Sequence, residues 1–278
     1  MSSQSAIRPA VNAGRFYPAS ARELGERVDE LLGKASTINQ PKASPVGIIV
    51  PHAGYDYSGA VAARAYASLA KTFDQVILIG PSHYASFKGV ASYDADGIAT
   101  PLGTVPIERF FIEQLAAKIP TTLLHADEEL REHSLEVQLP FLQRTLNNFT
   151  VVPLMMYHQS LQDVQRLAEA LSALLMKQEK QTLLVASSDL YHGCSEIEEE
   201  VQDLAFESYV ADMQPESLLE ASRQGTCMAC GIGPIATVMT VAKRVGPGQS
   251  RILARTNSAK VSGSSGGYVV GYLSALLF

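Results

Sequence analysis

The chain has 278 residues, 46% of them hydrophobic, and a formal net charge of −6. This length and hydrophobic content are sufficient for one sizeable core. Because no stretch has the length or composition of a linker, we expect a single domain over residues 1–278. Proteins that bind phosphate backbones usually carry a basic stripe, so the acidic balance argues against a nucleic-acid partner.

The termini and the cysteines bear on location. The first five residues, Met-Ser-Ser-Gln-Ser, lack the basic and apolar regions of a signal peptide. The apolar run over residues 268–278 is shorter than the roughly 20 residues that a membrane span needs. Three cysteines are an odd count in a chain without export signals, which argues against a disulfide framework. We therefore expect a cytoplasmic protein with no membrane segment.

The predicted elements alternate along the chain. Short aliphatic runs predict strands over residues 46–50, 75–80, 149–155, 182–186, 251–256 and 268–273. Helical spacing of apolar residues predicts helices over residues 58–70, with Ser58 as N-cap, and over 161–175 and 196–213. This alternation favours an α/β fold, a three-layer sandwich with a largely parallel central sheet.

Three histidines each follow a predicted strand, namely His52, His83 and His192. In open α/β sheets, ligands bind in the crevice outside the carboxyl ends of the strands. His52 and His83 are separated by about one β-α-β unit, so both are expected at the same sheet edge. Two neutral imidazoles provide half of a transition-metal site. The alternative is that each histidine only satisfies hydrogen bonds at a strand end.

The segment Cys227-Met-Ala-Cys230 has the spacing of a zinc or redox motif, but a second cysteine pair is absent. The following Gly231, Gly233 and Pro234 indicate a tight turn before an apolar helix. A thiol at a helix N-terminus has a lowered pKa and is a better metal ligand. Cys230 is the better placed of the two, whereas Cys227 is equally compatible with a packed core residue.

Three further histidines have weaker contexts. His133 and Glu136 are three residues apart, which on a helix would place them on one face. This pair is compatible either with the lining of an active site or with a surface polar pair. We expect His125 and His158 to be structural or exposed.

Several motifs, in order over nearly the whole chain, resemble those of one known family, the MEMO-like proteins, often called AmmeMemoRadiSam system protein B in bacteria and archaea. The opening motif is Arg8-Pro-Ala-Val-Asn-Ala-Gly-Arg-Phe-Tyr-Pro18. The others are Pro51-His-Ala-Gly-Tyr55, Ser58-Gly-Ala, Gly80-Pro-Ser-His83, Glu132-His-Ser-Leu-Glu136, Ser187-Ser-Asp189 with His192, and Cys230-Gly-x-x-Pro234.

The resemblance implies a fold similar to the LigB-type subunit of class III extradiol dioxygenases, which are non-haem iron(II) enzymes. It implies a metal site formed by His52, His83 and Cys230, with Asp189 and His192 lining the same pocket. Iron(II) is the metal that the dioxygenase relatives suggest, and copper and zinc are alternatives. Extradiol dioxygenases use two histidines and a carboxylate, whereas the third ligand here resembles a thiolate, so ring cleavage does not follow from the fold alone.

Two hypotheses about function follow. In the first, the chain is a metal-dependent oxidoreductase acting on a small-molecule substrate, in which His192, oriented by Asp189, transfers a proton. Its pocket would be lined by Tyr55, Tyr84, Tyr191 and Glu136, of which Glu136 is a candidate for the missing carboxylate ligand.

In the second hypothesis, the chain binds a metal without turnover and acts with AMMECR-like and radical SAM proteins. Zinc-dependent hydrolysis is a third reading without positive support. A serine hydrolase is disfavoured because Ser187 and Ser188 lack a Gly-x-Ser-x-Gly elbow.

Overall fold

The computed structural model describes residues 6–35, 43–70, 72–124, 131–264 and 266–278. The strands are β1 Ile7–Arg8, β2 Gly47–Val50, β3 Gln75–Pro81, β4 Val90–Tyr93, β5 Gly97–Thr100, β6 Gly103–Pro106, β7 Thr121–Leu124, β8 Thr150–Met156, β9 Thr182–Ser187, β10 His192–Gly193, β11 Ser250–Asn257 and β12 Val269–Leu277. The helices are α1 Ala21–Ala35, α2 Tyr55–Tyr66, α3 Arg109–Ala116, α4 Leu139–Thr145, α5 Leu161–Leu175, α6 Glu196–Ala211, α7 Pro215–Arg223, α8 Ile232–Val245 and α9 Ser258–Ser262.

The central sheet has a parallel middle and antiparallel flanks. Its order is β10-β12-β2-β9-β3-β8-β4-β7, with β11 on the other side of β12. Strands β2, β9, β3 and β8 are mutually parallel, while β12 and β4 run antiparallel to β2 and β8. The carboxyl ends of the four parallel strands therefore meet at one sheet edge. The smaller sheet β1-β5-β6 carries the start of the described chain.

Helices cover both faces of the central sheet. The β2-α2-β3 crossover passes over β9 in one direction, and the β8-α5-β9 crossover returns over β3 in the other. Right-handed crossovers in opposite directions place α2 and α5 on opposite faces. Helix α1 packs on α2, and α8 packs on α5 and on β2, β9 and β3. The predicted α/β architecture with a largely parallel central sheet is confirmed.

The strands of the parallel middle are almost completely buried, as expected for a sheet covered on both faces. The approach of α8 is close enough to require glycine in β2, because a Cβ at Gly47 would lie 2.5 Å from Val238 Cγ1. Within the described ranges, no helix combines the length and apolar content needed to cross a membrane.

The predicted elements largely agree with the structure. All six predicted strands are present, with ends that differ by at most four residues, and α5 has the predicted bounds. The prediction of Ser58 as N-cap was wrong. Helix α2 begins at Tyr55 with Gly54 as its N-cap, and the Ser58 hydroxyl donates instead to the Ala53 carbonyl at 2.9 Å. The earlier start places His52 only three residues before the helix.

Candidate metal centre

Three histidines from separate loops bring their ring nitrogens together at the carboxyl-end edge of the central sheet. His52 follows β2, His83 follows β3, and His133 lies between β7 and α4. One ligand nitrogen of each lies within 4.8 Å of the other two, so the cluster could hold a metal ion. His52 is 2% exposed, whereas the side chains of His83 and His133 are 27% and 14% exposed. Solvent therefore reaches the cluster from the side of His83.

Strand β9, which lies between β2 and β3, fixes the protonation of His52. The ring Nδ1 lies 3.0 Å from Ser187 Oγ. The Ser187 hydroxyl has a single hydrogen, which it donates to the Ser134 carbonyl at 2.5 Å. It therefore accepts from His52, so Nδ1 carries the proton and Nε2 is an acceptor. Burial, with the neighbouring His133 and His83, holds the pKa of His52 well below its ordinary value and keeps the ring neutral.

A buried glutamate is the partner of the His83 Nδ1. Glu132 Oε1 lies 3.0 Å from His83 Nδ1, and Oε2 accepts the His83 backbone N–H at 2.7 Å. Burial alone would raise the pKa of Glu132, but these hydrogen bonds and that from the Ser134 backbone outweigh it and lower the pKa to about 2. The carboxylate is therefore ionised at neutral pH. It orients the His83 ring through Nδ1.

The His133 ring lies between Phe16 and His83. The ring centroids are 4.4 Å apart for Phe16 and His133 and 4.7 Å apart for His83 and His133, with interplanar angles of 21° and 15°. Burial lowers the pKa of His133 to about 4. Its buried Nδ1 has no hydrogen-bond partner among the described residues. This unpaired nitrogen belongs to the group of three imidazoles that could hold a metal ion.

The stacking of His83 and His133 limits how they share one ion. Imidazole lone pairs lie in the ring plane, and rings with nearly parallel planes and centroids 4.7 Å apart lie one above the other. A single ion cannot lie in both planes unless one ring turns. The His52 ring is nearly perpendicular to both, at 89° in each case.

Cys230 lies beside His52. Its Sγ is 3.1 Å from His52 Nε2, and the Asp189 backbone N–H donates to the sulfur at 3.3 Å. Burial, then the nearby Asp189 carboxylate, raises the pKa of the thiol to about 12. The predicted lowering of the pKa by the following helix is thus outweighed in the metal-free protein. A metal ion that binds here would have to displace the thiol proton.

Asp189 and His192 do not form the predicted pair. Asp189 Oδ1 accepts the backbone N–H groups of His52 and Ala53, at 2.8 and 3.3 Å. The His192 Nδ1 instead lies 2.8 Å from the Leu190 carbonyl. The prediction that Asp189 orients His192 was therefore wrong, because the carboxylate satisfies two backbone donors of the loop after β2. Burial raises the pKa of Asp189 to about 7 and lowers that of His192.

Two of the predicted pocket tyrosines, Tyr84 and Tyr55, differ in exposure and in contacts. Tyr84 is 55% exposed, and its ring centroid is 6.3 Å from that of His83. Tyr55 is 4% exposed, and its hydroxyl donates to the Val137 carbonyl at 2.7 Å. The Tyr55 hydroxyl is therefore buried and already donates its hydrogen within the core.

The other two predicted pocket residues, Tyr191 and Glu136, form hydrogen bonds with residues outside the histidine cluster. The Tyr191 hydroxyl donates to Glu198 Oε2 at 2.9 Å. The carboxylate of Glu136 is enclosed by donors from the start of the chain: Arg8, Asn12 and Tyr17. Glu136 thus does not provide the missing carboxylate, since its oxygens already neutralise a buried arginine.

The supporting roles of Glu132, Ser187 and Phe16 were not predicted, although all three residues fall within the quoted motifs. The prediction that His133 and Glu136 lie on one face of a helix was wrong, because residues 131–135 are not helical and the first helical turn begins at Glu136. His158 is exposed, as predicted, and packs against Tyr157. His125 lies outside the described residues.

The fold and this cluster define an α/β protein with a candidate metal centre at the ends of parallel strands. Residues 8–276 match the family described as Memo-like protein, and the chain belongs to that family. This confirms the resemblance that the motifs indicated.

The similar proteins are matched over almost their whole length. The chain is 35% identical to a MEMO1 family protein of Methanobrevibacter smithii, covering 97% of this chain and 98% of that protein. It is also 35% identical to a MEMO1 family protein of Thermotoga petrophila, covering 98% and 99%. Among solved structures, an uncharacterized protein of Escherichia coli K12, JW3007, matches with a TM-score of 0.47 and 13% identity, over 82% of this chain and 99% of that one.

Proposed function

We propose that the chain is a metal-binding protein whose resident ion is iron(II), held by His52, His83 and Cys230. The observation that carries the proposal is the fixed protonation of the first two residues. Ser187 and Glu132 each lie 3.0 Å from the Nδ1 of one ring, and one ligand nitrogen of each ring lies within 4.8 Å of the other. Histidine ligands of metals usually have such partners on their other nitrogen.

The choice of Cys230 over His133 as third ligand rests on ring geometry. His133 is stacked on His83, so both rings cannot direct lone pairs at one ion without a rotation. The Cys230 sulfur already lies 3.1 Å from His52 Nε2. We infer that His133 supports the His83 ring and offers its unpaired Nδ1 to a ligand of the site.

We propose an oxidoreductase activity on a small organic substrate of the catechol type. Bound iron(II) would supply the Lewis acidity and redox chemistry for this reaction. His192 is suited to accept a proton from a phenol hydroxyl, because its Nδ1 donates to the Leu190 carbonyl and leaves Nε2 basic. Burial lowers the pKa of His192, so the ring is neutral and able to act as a base at pH 7. Asp189 would act indirectly, by holding the loop that carries His52.

A second candidate function is metal handling without turnover, together with AMMECR-like and radical SAM proteins. The observation that favours it is the Cys230 thiol next to His52, since soft sulfur ligands prefer copper(I) or zinc. The three cysteines are free in the structure, which fits a reducing compartment, and we propose the cytoplasm as the location.

Metal analysis tests the proposal most directly. The protein would be purified anaerobically without chelator, and its metals would be quantified by mass spectrometry alongside His52→Ala, His83→Ala and Cys230→Ser. His158→Ala is the matched control because His158 is an exposed histidine that is not a member of the group formed by His52, His83 and His133. Near-stoichiometric iron in the wild type and control, lost from the three variants, is expected. Oxygen uptake with catechols, abolished by His83→Ala, would then separate turnover from metal handling. Failure of the wild type to bind iron(II), copper(I) or zinc after reconstitution would overturn the proposal.

A further inference from the structure

The N-terminal segment (residues 8–17) is joined to the histidine cluster by a dense set of hydrogen bonds. Three of its residues enclose the Glu136 carboxylate. The Arg8 guanidinium donates to Oε2 at 2.5 Å, the Asn12 backbone N–H to Oε1 at 2.8 Å, and the Tyr17 hydroxyl to Oε1 at 2.6 Å. The Asn12 side-chain amide adds a bond to Oε2 at 3.0 Å. The segment therefore fixes Glu136, the C-terminal end of residues 132–136, which include His133.

The same segment holds the other end of that stretch through the main chain. The Glu132 carbonyl accepts from Arg8 Nη2 at 2.8 Å and from Asn12 Nδ2 at 3.0 Å. The side chain of Glu132 in turn accepts from Nδ1 and the backbone N–H of His83. A displacement of Glu132 would therefore move the group that orients the His83 ring.

Phe16 provides a direct contact between the segment and the cluster. Its ring stacks on His133, which stacks on His83, so the three rings form one column. The Phe16 carbonyl accepts the Tyr55 backbone N–H at 2.8 Å, three residues after His52. The segment thus contacts His133 itself, the Glu132 that holds His83, and the first residue of α2, which follows His52.

A buried ion pair between Arg8 and Glu136 restricts movement of the N-terminal segment. The side chains of Arg8 and Glu136 are 1% and 0% exposed. A buried charge that loses its partner is strongly disfavoured, so the pair resists any displacement that would separate it. The Arg8 guanidinium also lies over the Tyr93 ring, 4.7 Å from its centroid. A rigid connection of this kind transmits the position of the segment to the residues it holds.

We propose that the N-terminal segment is a positioning element of the metal centre, which sets metal affinity by holding Glu132 and the ring column although none of its residues is a metal ligand. This inference rests on the proposed metal site. It predicts that affinity for a metal responds to residues more than 100 positions away in sequence from Glu132 and His133. Loss of partners that orient metal ligands typically weakens metal binding about 10–100-fold.

The sharpest test removes the ring contact with Phe16→Leu. The matched control is Phe73→Leu, a buried phenylalanine just before β3, at the opposite end of that strand from His83. Phe16→Tyr keeps the aromatic face and serves as the rescue variant. Dissociation constants for cobalt(II) and zinc(II) would be measured by chelator competition, with the absorption spectrum of the cobalt(II) protein and the melting temperature of the metal-free protein. Tyr17→Phe, which removes one bond to Glu136, gives an independent variant in case the leucine substitution does not fold.

The expected result is that Phe16→Leu and Tyr17→Phe weaken metal binding about tenfold or more and alter the cobalt(II) spectrum, whereas Phe16→Tyr and Phe73→Leu bind as the wild type does. Equal affinities in the wild type, Phe16→Leu and Tyr17→Phe would overturn the inference while leaving the metal site intact. A weakening by Phe73→Leu as large as that by Phe16→Leu would also overturn it, since the effect would then follow stability alone. A wild type that binds neither metal would instead contradict the proposed function.

Discussion

The imidazole rings of His83 and His133 are stacked, with centroids 4.7 Å apart and planes inclined by 15°. Because of this stacking, the two rings are close together without being oriented to bind the same ion. Both residues contribute nitrogens to a cluster within 4.8 Å, yet their lone pairs lie in different planes. The third ligand of the proposed site, beside His52 and His83, can therefore be identified by comparing variants of Cys230 and His133.

The first prediction concerns that ligand. Cys230→Ser should weaken cobalt(II) binding more than His133→Ala does, because we place the sulfur and not the third imidazole on the ion. The wild-type cobalt(II) protein should show a sulfur-to-cobalt charge-transfer band in the near ultraviolet that Cys230→Ser lacks and His133→Ala keeps. The opposite pattern would assign the third position to His133.

The second prediction concerns Glu132. Glu132→Gln keeps the shape of the side chain but replaces the charged acceptor of the His83 Nδ1 proton by a neutral amide. We expect zinc(II) affinity to fall about 10–100-fold, as is typical when a partner of a metal-binding histidine is lost. Glu220→Gln is the control, because Glu220 is paired with Arg223 on the exposed side of α7. Unchanged affinity in Glu132→Gln would show that the carboxylate does not orient a metal ligand.

The third prediction concerns pH and a pair of buried carboxylates on α6. Glu199 and Asp203 lie one turn apart, and Glu199 Oε1 and Asp203 Oδ2 have no hydrogen-bond partner among the described residues. Burial, then Glu199, raises the pKa of Asp203 to about 8. An aspartate in the unfolded chain has a pKa of about 3.9. Between these values the folded state binds more protons, so this group makes the free energy of unfolding fall as pH rises from about 4 to about 8.

Urea unfolding at pH 5 and pH 8 checks this sign. Asp203→Asn should lose the Asp203 contribution, so its free energy of unfolding should fall less than that of the wild type between the two values. Asp212→Asn, at the exposed end of the same helix, should behave as the wild type does. If the wild type and Asp203→Asn show the same change between pH 5 and pH 8, Asp203 does not titrate in this range.

The fourth prediction concerns the approach of the Cys230 loop to β9. A Cβ at Gly231 would lie 2.6 Å from the Ser187 carbonyl oxygen and 2.7 Å from Ser188 Cβ. Gly231→Ala should therefore push the loop away from the sheet, cost about 1–3 kcal/mol of stability, and weaken metal binding. Gly25→Ala, inside α1 where the nearest atom would be 3.9 Å away, should be neutral or stabilising by about 0.5–1 kcal/mol. Chemical denaturation of both variants distinguishes the two sites, and equal stability of Gly231→Ala and the wild type would contradict the predicted clash.

The strand framework was predictable because its signals are local. Apolar runs such as that of β3 are what a doubly covered parallel sheet requires, and His52 and His83 follow such runs directly. The place of His133 was not predictable from periodicity, because residues 131–135 form no helix or strand and are held by hydrogen bonds to distant residues. The contacts of Asp189 were also not predictable from the sequence. Its partners are backbone groups of a loop 136 to 137 positions away, which no side-chain pattern reveals.

The strand order also determines when the site can form during synthesis. The three histidines of the cluster are all translated by residue 133, but β9 at Thr182–Ser187 must insert between β2 and β3 before Ser187 can meet His52. Cys230 leaves the ribosome later still. A nascent chain that ends soon after His133 therefore has neither β9 between β2 and β3 nor the Cys230 sulfur. The proposed set of ligands is therefore complete only after Cys230 has been synthesised, when β11 and β12 of the central sheet still follow.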